Sequence, residues 1–165
     1  MKRLKNRLND LQEVALLLKM ADVSVDLITL LCGKKIGVGG SRAVYEFNLN
    51  HKYVIKVEPH NTDSNITEAM IWEEVQGLKG DLAWVKDWFA PIHFISPNGK
   101  VLIMERTQVK VKEKPKKIPS FFMDAKPNNF GWIGNKYVCH DYGIIYGFIK
   151  YRNKFTDINW AKDDN

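Results

Sequence analysis

Gly37-Val38-Gly39-Gly40-Ser41-Arg42-Ala43-Val44-Tyr45, followed after a short polar stretch by Tyr53-Val54-Ile55-Lys56-Val57, decides how the chain is read. Apolar and polar residues alternate on both sides of the glycines, which is the period of half-buried strands. Strands are expected over Lys35 to Val38, Ala43 to Asn48 and Lys52 to Val57, with a turn at Asn48-Leu49-Asn50-His51. Gly37, Gly39 and Gly40 let backbone approach a ligand closely, and the amides of Gly39, Gly40 and Ser41 are candidates to face phosphate oxygens. Val44 is placed to lie against a base. Lys56, set in an apolar run, is costly to bury unless paired, and it is suited to hold phosphates as a point charge.

The pattern continues downstream. Trp84 to Phe89 and Pro91 to Ile95 are apolar runs, and Ser96-Pro97-Asn98-Gly99 turns the chain into Val101-Leu102-Ile103-Met104. Between them, Ile71, Val75 and Leu78 give helical spacing over Thr67 to Leu78, with Gly77 and Gly80 weakening its end. A five-stranded sheet with one main helix follows. Glu68 is the expected partner of Lys56, with Glu73 and Glu74 as rivals, because helix phase is not fixed by sequence.

Upstream, Leu4, Leu8, Leu11, Ala15 and Leu18 recur at helical steps among polar residues and predict an amphipathic helix from about residue 3 to 20. Ser24 can cap a second helix through Leu31, with Gly33 as its stop. These helices are expected to add a layer to the sheet or to bind a partner. Residues 108 to 119 interleave Lys110, Lys112, Lys114, Lys116 and Lys117 with Pro115 and Pro119, which reads as an exposed crossover. No aromatic residue is interleaved there, so nucleic-acid binding is disfavoured.

At 165 residues, with 45% hydrophobic content, the chain can bury a core as one domain or a pair of small lobes. Its formal charge of +6 favours acidic partners such as nucleotides or acidic peptides without choosing among them. Cys32 and Cys139 lack metal-ligand or paired spacing, which fits a reducing cytoplasm. Asp10 and Glu13 interrupt what a signal peptide keeps apolar, and no run is long enough to span a membrane.

Phe122-Met123-Asp124-Ala125-Lys126-Pro127-Asn128-Asn129, followed by Asp141-Tyr142-Gly143, carries the chemistry. An aspartate, an asparagine five residues on, and an Asp-aromatic-Gly tripeptide can supply a proton acceptor in Asp124 and two oxygen ligands for Mg²⁺, Asn129 and Asp141. Lys126 can neutralise charge on a transferred phosphoryl group. His140 reads as a structural, hydrogen-bonding histidine.

Taken in order, these motifs resemble the protein kinase family, and within it the very small serine/threonine kinase-like proteins encoded by bacteriophages. The resemblance runs from about Lys34 to about Ile145. It implies an α+β, protein kinase-like fold: residues 1–33 as a helical extension, 34–107 as an upper lobe with a five-stranded antiparallel sheet and a linker, and 108–165 as a reduced lower lobe. It implies ATP and Mg²⁺ as ligands, a backbone grip on adenine at Glu105 and Thr107, and Met104 at the back of the pocket. A bacterial host protein as substrate or target, in the host cytoplasm, also follows from it. Departures are specific: Arg42 replaces the third glycine of the family loop, where it can add a phosphate ligand, and Phe122-Met123 replaces His-Arg. There is no Ala-Pro-Glu element, and the interval from 108 to 119 has no room for the family's two helices. These omissions keep open a nucleotide-binding protein that grips a partner without turnover. The residues after Gly143 can supply one helix or a short tail.

Overall fold

A computed structural model describes residues 25–60, 62–109, 113–145 and 154–160. The helix expected over residues 3 to 20, the Ser24 cap and residues 110–112 of the basic stretch lie outside them. The described chain is mixed α+β, built on a five-stranded antiparallel sheet with few helices. It divides into two compact units, residues 1–65 with 93–103, and residues 66–92 with 104–165.

In the first unit, helix α1 (Val25–Leu31) leads directly into strand β1 (Cys32–Val38), then β2 (Ala43–Phe47) and β3 (Tyr53–Val57). β1 pairs with β2, and β2 with β3, both antiparallel. Strands β4 (Ile92–Ile95) and β5 (Val101–Glu105) complete the sheet in the order β1-β2-β3-β5-β4. Leu31, Phe47, Ile55, Phe94, Val101 and Ile103 form its core, with Leu27 and Ile28 of α1 packed against them. Helical spacing on one side and strand alternation on the other thus bury one continuous apolar face.

The helix end differs from the sequence expectation. Gly33 is not the stop but part of β1, where a Cβ would meet Asn48 Oδ1 at 2.5 Å. Asn48 takes up the open carbonyls of α1, its Nδ2 donating to Leu30 O (3.0 Å) and its backbone N to Leu31 O (3.0 Å). Glycine leaves room for the Asn48 side chain there.

The second unit holds helix α2 (Ser64–Gly77) from Ile66 onward, and the apolar run around Trp84 forms a 3-10 helix, Gly80–Trp88. Two small antiparallel sheets follow: β6 (Lys117–Pro119) with β9 (Phe155–Asp157), and the hairpin of β7 (Phe130–Ile133) with β8 (Lys136–Cys139). The crossover is therefore not wholly exposed. Ile118 is fully buried, and the chain after Gly143 returns as a strand that pairs with it.

Rings hold this unit together. Phe89 meets Phe121, Phe122 and Tyr142 at centroid distances of 5.9, 5.2 and 5.0 Å, and Phe130 meets Phe122, Tyr137 and Trp160 at 5.1, 5.7 and 5.6 Å. Trp160 also donates from Nε1 to Pro115 O at 2.8 Å, which anchors the returning tail.

Candidate functional site

Within the first unit, the β2–β3 register places Val44 opposite Lys56. Because Ile55 faces the core, alternation turns Val44, Val54 and Lys56 to the other face of the sheet, and Gly37, opposite Val44, lies with them. A Cβ on Gly37 would sit 3.7 Å from that of Val44. Lys56 is only 3% exposed.

The glycine turn is closed by a hydrogen bond from Gly39 N to Arg42 O at 2.9 Å. One of the three amides expected to face phosphate is thereby committed to the hairpin. The space beside Gly40 is open, with nothing within 4 Å of where a Cβ would stand, so a ligand can approach the loop there.

Arg42 is drawn into the unit and is buried. Its Nη1 donates to Asn65 Oδ1 (3.2 Å), and Asn65 Nδ2 donates to Gly99 O (2.9 Å) and Lys56 O (3.5 Å). Asn65 N and Thr62 donate to the two oxygens of Glu58, at 2.9 Å and, from both N and Oγ1, 2.7 Å. Burial works to raise the Glu58 pKa, but the bonds from Asn65, Thr62 and Asp63 outweigh it and hold it below the usual value. The position of the third glycine thus serves a buried latch beneath the lysine strand. Asn65 and Glu58 carry no motif, and sequence reasoning missed them.

Within the second unit, helix phase turns one of three glutamates inward. Glu68 is fully buried, whereas Glu73 and Glu74 are exposed. Glu68 Oε1 accepts from Tyr142 N at 3.1 Å, and Tyr142 Oη donates to Ala90 O at 2.9 Å. The Asp141-Tyr142-Gly143 segment is held at both ends of its tyrosine while Asp141 itself is exposed.

Asp124 and Asn129 come together as expected from their spacing. Asn129 Nδ2 donates to Asp124 O (2.9 Å) and Oδ2 (3.0 Å), and Lys126 Nζ lies 2.9 Å from Asp124 Oδ1. With its nitrogen committed, the amide of Asn129 presents Oδ1, a hard oxygen donor. The ion pair of Lys126 with Asp124 is solvent-facing, so it orients the carboxylate more than it stabilises the fold.

On the linker, Met104 is fully buried and alternates with Ile103 along β5. Glu105 N donates to Pro91 O at 2.8 Å. Gln108 exchanges both backbone bonds with Trp132 at 2.9 Å, which holds the chain just after Thr107. His140 bonds Thr107 Oγ1 through Nδ1 (2.8 Å) and Asn128 O through Nε2 (2.9 Å).

A shared device positions the loop residues. Phe122 precedes Asp124, Phe130 follows Asn129 and Tyr142 follows Asp141, and each ring is buried in the aromatic cluster. Phe122, which departs from the family pattern, is therefore a core anchor. Among the described residues no three His, Cys, Asp or Glu side chains form a ready metal cage, and no helix is long and apolar enough to cross a membrane. No family model, no curated protein and no solved structure matches the chain.

Proposed function

We propose that the chain is a small protein kinase-like phosphotransferase that moves the γ-phosphoryl group of ATP to a hydroxyl, with a serine or threonine of a host protein as acceptor. The observation that carries this reading is the Asp124-Asn129 pair, in which the asparagine nitrogen orients the aspartate and its oxygen is left to ligate. Asp124 is suited to accept or orient the acceptor's proton, and Lys126 to follow the charge on the transferred group.

Asn129 and Asp141 are the residues that would hold Mg²⁺. One amide oxygen and one carboxylate fit an ion that keeps waters and completes its shell with phosphate oxygens, and bound there it would supply charge neutralisation on the triphosphate. Lys56 and the amides of Gly40 and Ser41 are suited to phosphates, and the Glu105 carbonyl and the Thr107 amide to adenine. A phage origin and action in a bacterial cytoplasm belong to the same reading.

The test is transfer of labelled phosphate from ATP by the wild type beside Asp124→Ala and Asp141→Ala. Each substitution is expected to lower kcat by about a hundredfold or more, the scale of losing an acid–base or electrostatic group. Equal activity in all three defeats the proposal.

One observation favours a second reading. In the described residues of the second unit, the interval after the linker carries a short buried strand where the kinase family has helices that support a peptide. A nucleotide-gated binder of a host protein fits that economy of structure. Thermal stabilisation by Mg²⁺-ATP with no turnover selects it over the enzyme.

A further inference from the structure

We propose that His140 is a positioning residue that locks the linker to the asparagine loop, so that one imidazole aligns the adenine-side and metal-side groups of the second unit. The inference rests on the phosphotransferase reading for its functional meaning. Its geometry stands independently.

The hydrogen-bond chemistry assigns the ring. Asn128 O, 2.9 Å from Nε2, is a carbonyl and can only accept, so Nε2 carries the proton. In that tautomer Nδ1 is the accepting nitrogen, and the Thr107 hydroxyl at 2.8 Å is the donor that faces it. The backbone adds a third tie, His140 N donating to Asn129 O at 2.8 Å. Linker, asparagine loop and the residue beside Asp141 are thus joined through one side chain.

The surroundings are built for this contact. A Cβ on Gly131 would lie 2.6 Å from Thr107 Cβ and 2.7 Å from its Oγ1, so only glycine leaves room for the threonine. The ladder between Gln108 and Trp132 fixes the neighbouring backbone. A histidine that merely filled space would require neither a defined tautomer nor a glycine opposite its partner.

The two branches separate by substitution. His140→Gln keeps a donor near the Nε2 position and loses the threonine branch, whereas His140→Asn keeps an acceptor near Nδ1 and loses the Asn128 branch. His140→Gln is expected to raise the KM for ATP about tenfold, more than it lowers kcat, and His140→Asn to lower kcat about tenfold, more than it raises KM. Thr107→Val should raise KM as His140→Gln does, and Thr107→Ser, which restores the hydroxyl, should recover most of the loss. A role confined to stability moves the melting temperature without splitting kcat from KM, and that result overturns the proposal.

Nitrogen chemical shifts of the imidazole in the wild-type protein test the geometry without any turnover. The Nε2–H form is expected, and Thr107→Val should shift Nδ1 selectively. A proton resident on Nδ1 overturns the proposal even if transfer activity is found. Conversely, an Nε2–H ring in a protein that binds no nucleotide defeats the phosphotransferase reading and leaves His140 a brace of the fold, which also rejects the functional claim.

Discussion

The two units solve the problem of holding a site in different ways. The first is a sheet whose strands bury one apolar face, led by Phe47, Ile55, Val101 and Ile103, so the lysine strand is fixed by backbone ladders. The second has strands of three or four residues and holds its loops by contacts between rings. Short strands cannot specify position by pairing alone. Large, rigid rings can, because each buries much area at little cost in side-chain freedom. Asp124, Asn129 and Asp141 therefore each stand within two positions of a buried aromatic residue.

Removing the hub of the ring cluster is the strongest way to break this contrast. Phe89→Ala should destabilise the second unit by about 3–5 kcal/mol, the usual cost of deleting a buried phenylalanine. All five tryptophans lie in the second unit, so their fluorescence during urea unfolding reads that unit alone. Hydrogen exchange of β2 and β3 reads the first. Equal loss of protection in both would show that the difference in construction has no energetic counterpart.

A smaller effect sharpens the first unit. Glu58→Gln exchanges a charge-assisted acceptor for an amide that turns donors toward Asn65 N, and it should cost about 2 kcal/mol at neutral pH. The sign with pH follows from the lowered Glu58 pKa: its contribution is fully present above about pH 4.5 and is lost as pH falls from there through the folded-state value. Wild type and variant should therefore converge on acidification. A gap that stays constant down to pH 3 would count against the latch.

The smallest expected change is a gain. Tyr137 Oη is the one buried side-chain polar atom among the described residues without a hydrogen-bond partner, and burial, with Cys139 adding to it, pushes its pKa up to about 12. Tyr137→Phe should preserve the stacking on Phe130 and raise stability by about 1 kcal/mol. A loss of comparable size, measured by the same fluorescence, would show that the hydroxyl has a role in the ring cluster.

Legibility followed the same division. In the first unit, β2 and β3 lie within a residue of the expected limits, and Lys56 is on the expected strand. In the second, the five-residue spacing of Asp124 and Asn129 is short enough for one loop to bring them into hydrogen-bond contact. The run through Trp84 gave no local sign of a 3-10 helix, and the lysine-rich crossover concealed a buried Ile118. Which of Glu68, Glu73 and Glu74 the helix turns inward was likewise not legible, because spacing alone does not fix helix phase.

Sequence alone determined the alternation of the sheet, the strand that bears Lys56 and the closeness of Asp124 to Asn129. Each of these depends on residues a few positions apart, where the backbone's own period fixes direction. Tertiary structure decided that Arg42 joins a buried latch, that Glu68 meets Tyr142, and that His140 spans Thr107 and Asn128. Those pairings join residues from 12 to 74 positions apart, and they form only after the core has brought distant segments together.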